Sequence, residues 1–471
     1  MSAGLRTSGT PASDRKHWAG VALVFAIVVV TQLALVAALG TDVPFLDQWN
    51  VEGTWLYPAW RDGSLHFADL LRPVNEHRTL WTHLLNLGLF SLNGQWDPLV
   101  QLVAIAALRA ACAAALAWLA GRGLSRGGRI AVGVGVAIAF LPHLAWHNVL
   151  WGMESHAFFG LGLSVLALAW LGPESRTRGQ TWAGLAAGAA ALLAMAAGAF
   201  IPVLLLALAG LRLNETRTLD RGWRRWWPEL VLLLAALALA GITPRNTALQ
   251  AATMADFFLA LGRALAWPHI GQPWAALLLN LPLALAVAGR LTRRRRAAAG
   301  EDFVLLLAGW AVLTAVAAAW TRGGGDEFAF GVPSRYVDFL VLLPLANVWL
   351  LVALVRAARP QWHASARVLA AAWSLFLFVG WLGLSAEVTR RLIRPRLRDR
   401  DAPVRLVREF QRTDDVAVFA GQPRLLVPHS DADTVRRVLH DPRLNGFLPP
   451  SLQPERPQGP LSRAVRWVLG R

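Results

Sequence analysis

The chain is poor in lysine, cysteine and charge. Lys16 is the single lysine, so the basic side chains are otherwise arginines. Cys112 is the single cysteine, which excludes an intrachain disulfide and a thiolate metal site. Charged residues make up 16% of 471 positions, against about 25% in a soluble domain. That excludes a disordered chain, a fibrous repeat and a typical cytosolic enzyme. There is no Walker A motif, no dinucleotide fingerprint after a strand and no GxSxG elbow, which argues against soluble ATP chemistry.

What is present is apolar and clustered. Hydrophobic types form 55% of the chain, and the mean hydropathy is +0.43. Long runs of such residues predict an all-α polytopic membrane protein. The net charge of +17 suits nucleic acid in a soluble protein. In a membrane protein arginine anchors cytoplasmic loops, and no nucleic-acid partner is expected.

The first run, 18–39, follows Arg15 and Lys16 and is too long for a signal-peptide core. It reads as an uncleaved span with residues 1–17 in the cytoplasm. Further spans are expected at 99–120, 130–146, 156–171, 181–197, 199–213, 229–243, 272–288, 303–320, 337–355 and 366–386, about eleven transmembrane helices in all. The arginines of five loops then fall on one side: Arg122 to Arg129, Arg176 and Arg178, Arg212 to Arg225, Arg290 to Arg296, and Arg356 to Arg367. That is the positive-inside pattern of a multi-pass protein with a cytoplasmic N-terminus. The membrane domain is 18–386 and contains a first outer loop, 40–98. Within that loop, 49–60 and 79–92 read as interfacial helices, as does 252–266 further on. Residues 387–471 form a small extracytoplasmic tail. Val416–Phe419 and Leu425–Val427 in it are β-like, and 433–439 and 461–469 are helical.

Candidate chemistry lies at the outer ends of spans. Asp47 and Glu52 stand among Phe45, Trp49, Trp55 and Tyr57. A carboxylate at the start of a helix over 49–60 stays ionised and is able to act as a general base, or simply caps the helix. Asn75, Glu76, His77 and Arg78 end the same loop, where an arginine either forks onto a substrate phosphate or anchors to lipid. His143, His147, Glu154 and His156 follow the third span. Asp47 with His143 and His147 is the open alternative for a divalent cation, although the spacing is not HExxH. Arg322, Arg335 and Tyr336 cluster before the tenth span. Arg335 on an outer loop runs against the positive-inside bias, which suggests either a ligand or an anchor to lipid phosphate. Arg109 lies mid-span and needs a buried partner.

The layout resembles the GT-C superfamily of polytopic glycosyltransferases. The resemblance rests on P-F-L-D-Q-W at 44–49, just past the first span, followed by interfacial helices and an outer tail. The N-E-H-R and S-R-Y blocks look like those of uncharacterised bacterial members. The resemblance implies a bacterial cytoplasmic (inner) membrane enzyme. It would move a sugar, with inversion, from a polyprenyl-phosphate-linked donor to a cell-envelope glycan or lipid acceptor. It assigns the base role to Asp47 alone, and no second acid adjoins it, since Gln48 follows. A polysaccharide polymerase or ligase, a transporter and a non-catalytic membrane scaffold are the alternatives. Membrane lipids are partners in each case.

Overall fold

Most of each apolar run is helical in the computed structural model, which describes residues 11–216, 226–244, 246–293, 297–329, 331–423 and 426–471, although the run expected to span 130–146 leaves helix after Ala139. The loop arginines Arg217, Arg221, Arg224, Arg225 and Arg294 to Arg296 lie outside the described residues, as does Leu425. The apolar helices are α1 (Pro11–Leu39), then, past a loop that carries α2 (Tyr57–Asp62) and α3 (Leu80–Asn93), α4 (Pro98–Ala120) and α5 (Arg126–Ala139). A short α6 (Trp146–Leu150) leads into α7 (Ser155–Leu171), α8 (Arg178–Leu192), α9 (Phe200–Thr216) and α10 (Trp227–Gly241). The second half holds α11 (Met254–Leu265), α12 (Ala275–Leu279), α13 (Leu281–Leu291), α14 (Glu301–Arg322) and a short α15 (Asp326–Ala329). It ends with α16 (Val337–Leu340), α17 (Leu342–Ala357) and α18 (His363–Val388).

Among the described residues, six helical stretches are long and apolar enough to cross a membrane, and α7, α10 and α13 are shorter apolar helices. The protein is an all-α polytopic membrane protein with several long apolar helices. Local chemistry sets their ends. Asp97 caps α4 by accepting from Leu99 N at 2.9 Å, with Pro98 in the first turn. Thr177 and Gln180 form a capping box on α8, and Thr253 and Asp256 form one on α11. The span expected over 272–288 breaks between α12 and α13. Asn280 turns its amide back onto Leu265 O and Ala276 O, and Pro282 withholds a helical N–H.

The outer loop and the tail share one core. The loop carries a π-helical segment, Trp49–Leu56, running into α2 (Tyr57–Asp62), a hairpin of β1 (Pro73–Val74) and β2 (His77–Arg78), and α3 (Leu80–Asn93). The tail carries α19 (Arg394–Arg398), α20 (Ala402–Thr413), α21 (Ala432–Leu439) and α22 (Pro460–Leu469). Trp49, Tyr57, Phe90 and Trp96 of the loop pack with Phe410, Val435, Val438 and Leu444 of the tail. Gly53 lets α21 approach, because a Cβ there would stand 2.8 Å from Val438. Arg466 ties the two parts further, reaching Asp97 at 2.5 Å and Asp42 at 2.9 Å.

The β-like reading of Val416–Phe419 is corrected. The Asp415 carboxylate accepts from Ala417 N and winds the segment into a single 3-10 turn. Phe419 then packs on Phe410 at 4.9 Å between ring centroids. Val416 is exposed and Phe419 half-buried, and among the described residues no strand lies alongside to pair with the segment. Leu426 likewise donates to Pro423 O in a turn.

Candidate active site

Asp47 stands where α1, the outer loop and the tail meet. Leu46 before it adopts a left-handed backbone, φ 47°, costly for a branched side chain. The tail holds it there, since Leu46 N donates to Pro428 O at 2.7 Å. The next tail residue, His429, is buried and sits 2.9 Å from the Asn50 amide through Nε2. The turn that aims Asp47 into the site therefore depends on a segment almost 400 residues away in sequence.

The hairpin supplies Asn75 and His77. Asn75 occupies the turn with φ 51°, a conformation asparagine tolerates, and its amide donates to the Asp47 carboxylate. Glu76 beside it takes two hydrogen bonds from Arg322, at 2.9 and 2.5 Å, which pins the hairpin to the end of α14. His77 stacks on His156 with ring centroids 5.4 Å apart.

The third wall comes from the turn into α7 and the segment before α16. Glu154 immediately precedes α7, and its Oε2 lies 3.9 Å from His156 Nε2. Arg335 is fixed through its backbone, because Asn148 donates to its carbonyl at 3.0 Å and to Asp338 at 2.9 Å. Ser334 donates to Leu144 O at 2.9 Å. Asp338 is also the partner that Arg109 requires, at 2.7 and 3.0 Å, and Arg109 donates in turn to Phe140 O. This fully buried pair joins α4 to α16 just below Arg335.

Two carboxyls thus share one enclosed space. Burial raises the Asp47 carboxyl above the ordinary aspartate range, while His429, His156, Arg335 and the Asn75 hydrogen bond pull it back. Burial pushes Glu154 up to about 8 against the pull of Arg335, and the Asp47 and Asp338 charges add to the rise. Near neutral pH, Glu154 is a carboxylic acid beside an ionisable Asp47. Burial, with His156, Arg322 and Arg335 nearby, holds His77 neutral down to about 3.

An apolar cavity of about 450 Å³ adjoins this cluster. Phe45 and Leu46, next to Asp47, line one side, and Pro333 and Ser334, next to Arg335, line another. Leu384, Val388 and Leu392 of the peripheral α18 and the turn after it close the cavity.

Several expected residues lie elsewhere. Glu52 is fully buried in a separate cage, with Asn86 Nδ2 at 2.7 Å, Gln101 Nε2 at 2.9 Å, and Gln48 Nε2 and Tyr57 OH at 3.3 Å. Burial raises it to about 7. Arg78 donates to Leu71 O at 2.8 Å and Ile242 O at 3.2 Å, so it braces the hairpin. His147 stacks on Trp146 and Trp151 and lines the apolar cavity, while His143 packs edge-on against Trp381. Among the described residues no three His, Cys, Asp or Glu side chains converge in metal-ligand geometry. Tyr336 faces Phe328 at 6.0 Å and the Arg335 guanidinium at 5.4 Å.

Sequence reasoning missed His429, Asn148 and Asp338. Asp338 left a signal, since an acid inside a span asks for an arginine at matching depth. His429 left none.

No family model matches the sequence, and no curated protein matches it. The structure is similar to the apo crystal structure of the Archaeoglobus fulgidus oligosaccharyltransferase, with TM-score 0.49 and 10% identity over 89% of this chain and 61% of that chain. It is also similar to that archaeon's oligosaccharyltransferase AglB in complex with an inhibitory peptide and a dolichol-phosphate, with TM-score 0.46 and 11% identity over 88% of this chain and 61% of that one. This chain thus spans about three fifths of the length of those proteins.

Proposed function

We propose that the protein transfers a sugar, with inversion, from a polyprenyl-phosphate-linked donor to a hydroxyl of a cell-envelope glycan or lipid. The observation that carries this reading is the junction of two environments. The apolar cavity lined by Phe45, Leu46 and Ser334 ends at the sequence neighbours of Asp47 and Arg335. A lipid chain suits the first environment and a phosphosugar the second.

In this reading the donor's phosphate rests against Arg335, whose guanidinium offsets the charge that grows as the sugar–phosphate bond breaks. Asp47 takes the proton of the acceptor hydroxyl. That oxygen attacks the anomeric carbon from the face opposite the phosphate, the bond between that carbon and the phosphate oxygen breaks, and polyprenyl phosphate leaves with that oxygen. Phosphate is a good leaving group, so no acid has to protonate it. Glu154, uncharged at neutral pH, leaves Asp47 as the ionised member of the pair. Glu52 has a structural part only.

The reading sets the N-terminus in the cytoplasm of a bacterium, eleven spans in its inner membrane, and the site with the tail outside. Reporter fusions after Arg126 and Arg359 should read cytoplasmic, and one at 441–446 external. The decisive assay is turnover of polyprenyl-phosphate sugars by purified wild-type protein and D47N. Wild-type activity lost in D47N supports the reading. Equal transfer by both removes Asp47 as base, and no turnover of any such donor overturns the class.

A further inference from the structure

The end of the bundle opposite Asp47 carries a second apolar groove. It encloses about 570 Å³ between α1 and α5. Val24 and Ile27 of α1 face Ile130, Val134 and Ile138 of α5 across it. Ile130 and Val134 are more than half exposed, at 57% and 53%. His17, at the start of the first span, lines the same end as Arg126 and Arg129. About 23 residues of helix, or roughly 35 Å, separate His17 from the outer end of α1.

Among the described residues Arg126 and Arg129 have no counter-charge. Arg126 and Arg129 lie in the first turn of α5, whose cap is Ser125, accepting from Gly128 N at 3.3 Å. No described Asp or Glu forms an ion pair with either arginine. Cations at a helix N-terminus oppose its dipole, so two of them beside each other favour an anion between them. Helix α5 has 14 residues, about 21 Å, against a hydrocarbon core of roughly 30 Å. Its basic end therefore sits where a lipid phosphate has to come in to meet it. The opposite face of α5 borders another apolar groove, of about 480 Å³, that also ends at an arginine, Arg356. Apolar walls, a cationic rim and membrane depth together select a lipid with net negative charge.

We propose that the groove between α1 and α5 binds one anionic phospholipid from the leaflet opposite the active site. Its phosphate rests on Arg126 and Arg129, and an acyl chain lies along Ile130, Val134 and Ile138. A zwitterionic lipid carries its own cation and gains less from two arginines.

The test uses the full chain, delipidated in detergent and titrated with phosphatidylglycerol or phosphatidylcholine under native mass spectrometry. The first phosphatidylglycerol should bind at least tenfold more tightly than phosphatidylcholine. R126Q/R129Q should abolish that preference. Gly133→Leu, with both arginines kept, should reduce retention of either lipid by filling the groove. A Cβ at Gly133 meets only Val24 at 3.5 Å, an ordinary contact, so the fold tolerates it. Millimolar inorganic phosphate should not displace the lipid. Equal binding of the two lipids by wild-type protein overturns the proposal whether or not the variants fold. So does unchanged phosphatidylglycerol binding in both folded variants, or displacement by inorganic phosphate.

Discussion

Arg322, the last residue of α14, holds Glu76 at the tip of the outer hairpin through paired hydrogen bonds of 2.5 and 2.9 Å. Neighbouring Asn75 and His77 reach Asp47 and His156 from that hairpin. R322A should therefore lower transfer through hairpin position, while costing about 1–2 kcal/mol of stability for a partly exposed charged pair. E76Q, which keeps one hydrogen bond, should lose less of both. Rates per folded molecule that stay at wild-type level in R322A would detach the hairpin from the chemistry.

Asp47 and Glu52, the two acids of one helical segment, should respond differently. D47N keeps the size and an oxygen for the Asn75 amide but loses proton-accepting charge. It should fold normally and transfer 10²–10⁴-fold more slowly, as expected for loss of a general base. E52Q places an amide donor among the donors of Asn86, Gln101 and Gln48. It should lower the melting temperature, at a cost of about 1–3 kcal/mol, with the rate per folded molecule largely kept. The reverse pattern would move the base to Glu52.

The pH profile should be bell-shaped. The raised Asp47 carboxyl protonates at higher pH than an ordinary aspartate, so the rate falls on the acid side earlier than usual. Glu154 ionises near 8 and then sets a second negative charge beside Asp47 and the donor phosphate, so the rate falls above that value. E154Q should remain active and lose the alkaline limb. The neutral Glu154 is also the form that folding prefers. Its stability contribution is complete below the ordinary glutamate value of 4.5 and is lost as pH rises to about 8, so E154Q should flatten the decline in melting temperature between those two values. An inactive, folded E154Q at pH 7 would give Glu154 a direct chemical role.

Arg335 and Arg78 are both arginines at the end of the bundle that holds Asp47, with separate tasks. R335A should weaken binding of a polyprenyl-phosphate donor ten- to a hundredfold, from a charge-assisted contact of roughly 1.5–3 kcal/mol. R335K should recover part of it, since lysine lacks the planar fork. R78A removes bonds to Leu71 O and Ile242 O and should lower stability more than donor affinity. Titration of a fluorescent donor analogue alongside thermal unfolding separates the two.

The Arg109–Asp338 pair should show the asymmetry of buried charges. D338L strands the Arg109 guanidinium and should cost about 3–5 kcal/mol. R109M/D338L removes both charges and should be markedly more stable than D338L alone. A double variant as unstable as the single one would mean that shape, rather than charge, governs this contact.

The sequence by itself determined the membrane architecture. Apolar runs such as 18–39 and 303–320 leave the backbone no solvent partner in lipid, so helix is the outcome that satisfies it. The tail helices near 433–439 and 461–469 were equally local and equally legible. Asp47 was legible as a carboxylate placed just past a span. Only the tertiary structure decided its surroundings. It closed Glu52 into an amide cage, committed Arg78 to carbonyls, and brought Glu154, His156, Arg335 and His429 to Asp47 from three distant segments. It also turned the β-like Val416–Phe419 into a single 3-10 turn with Phe419 set against Phe410. Helix formation is set by neighbours three or four residues away and by the solvent. Which charges meet depends on side-chain packing between elements hundreds of residues apart, and hydropathy carries no record of that pairing.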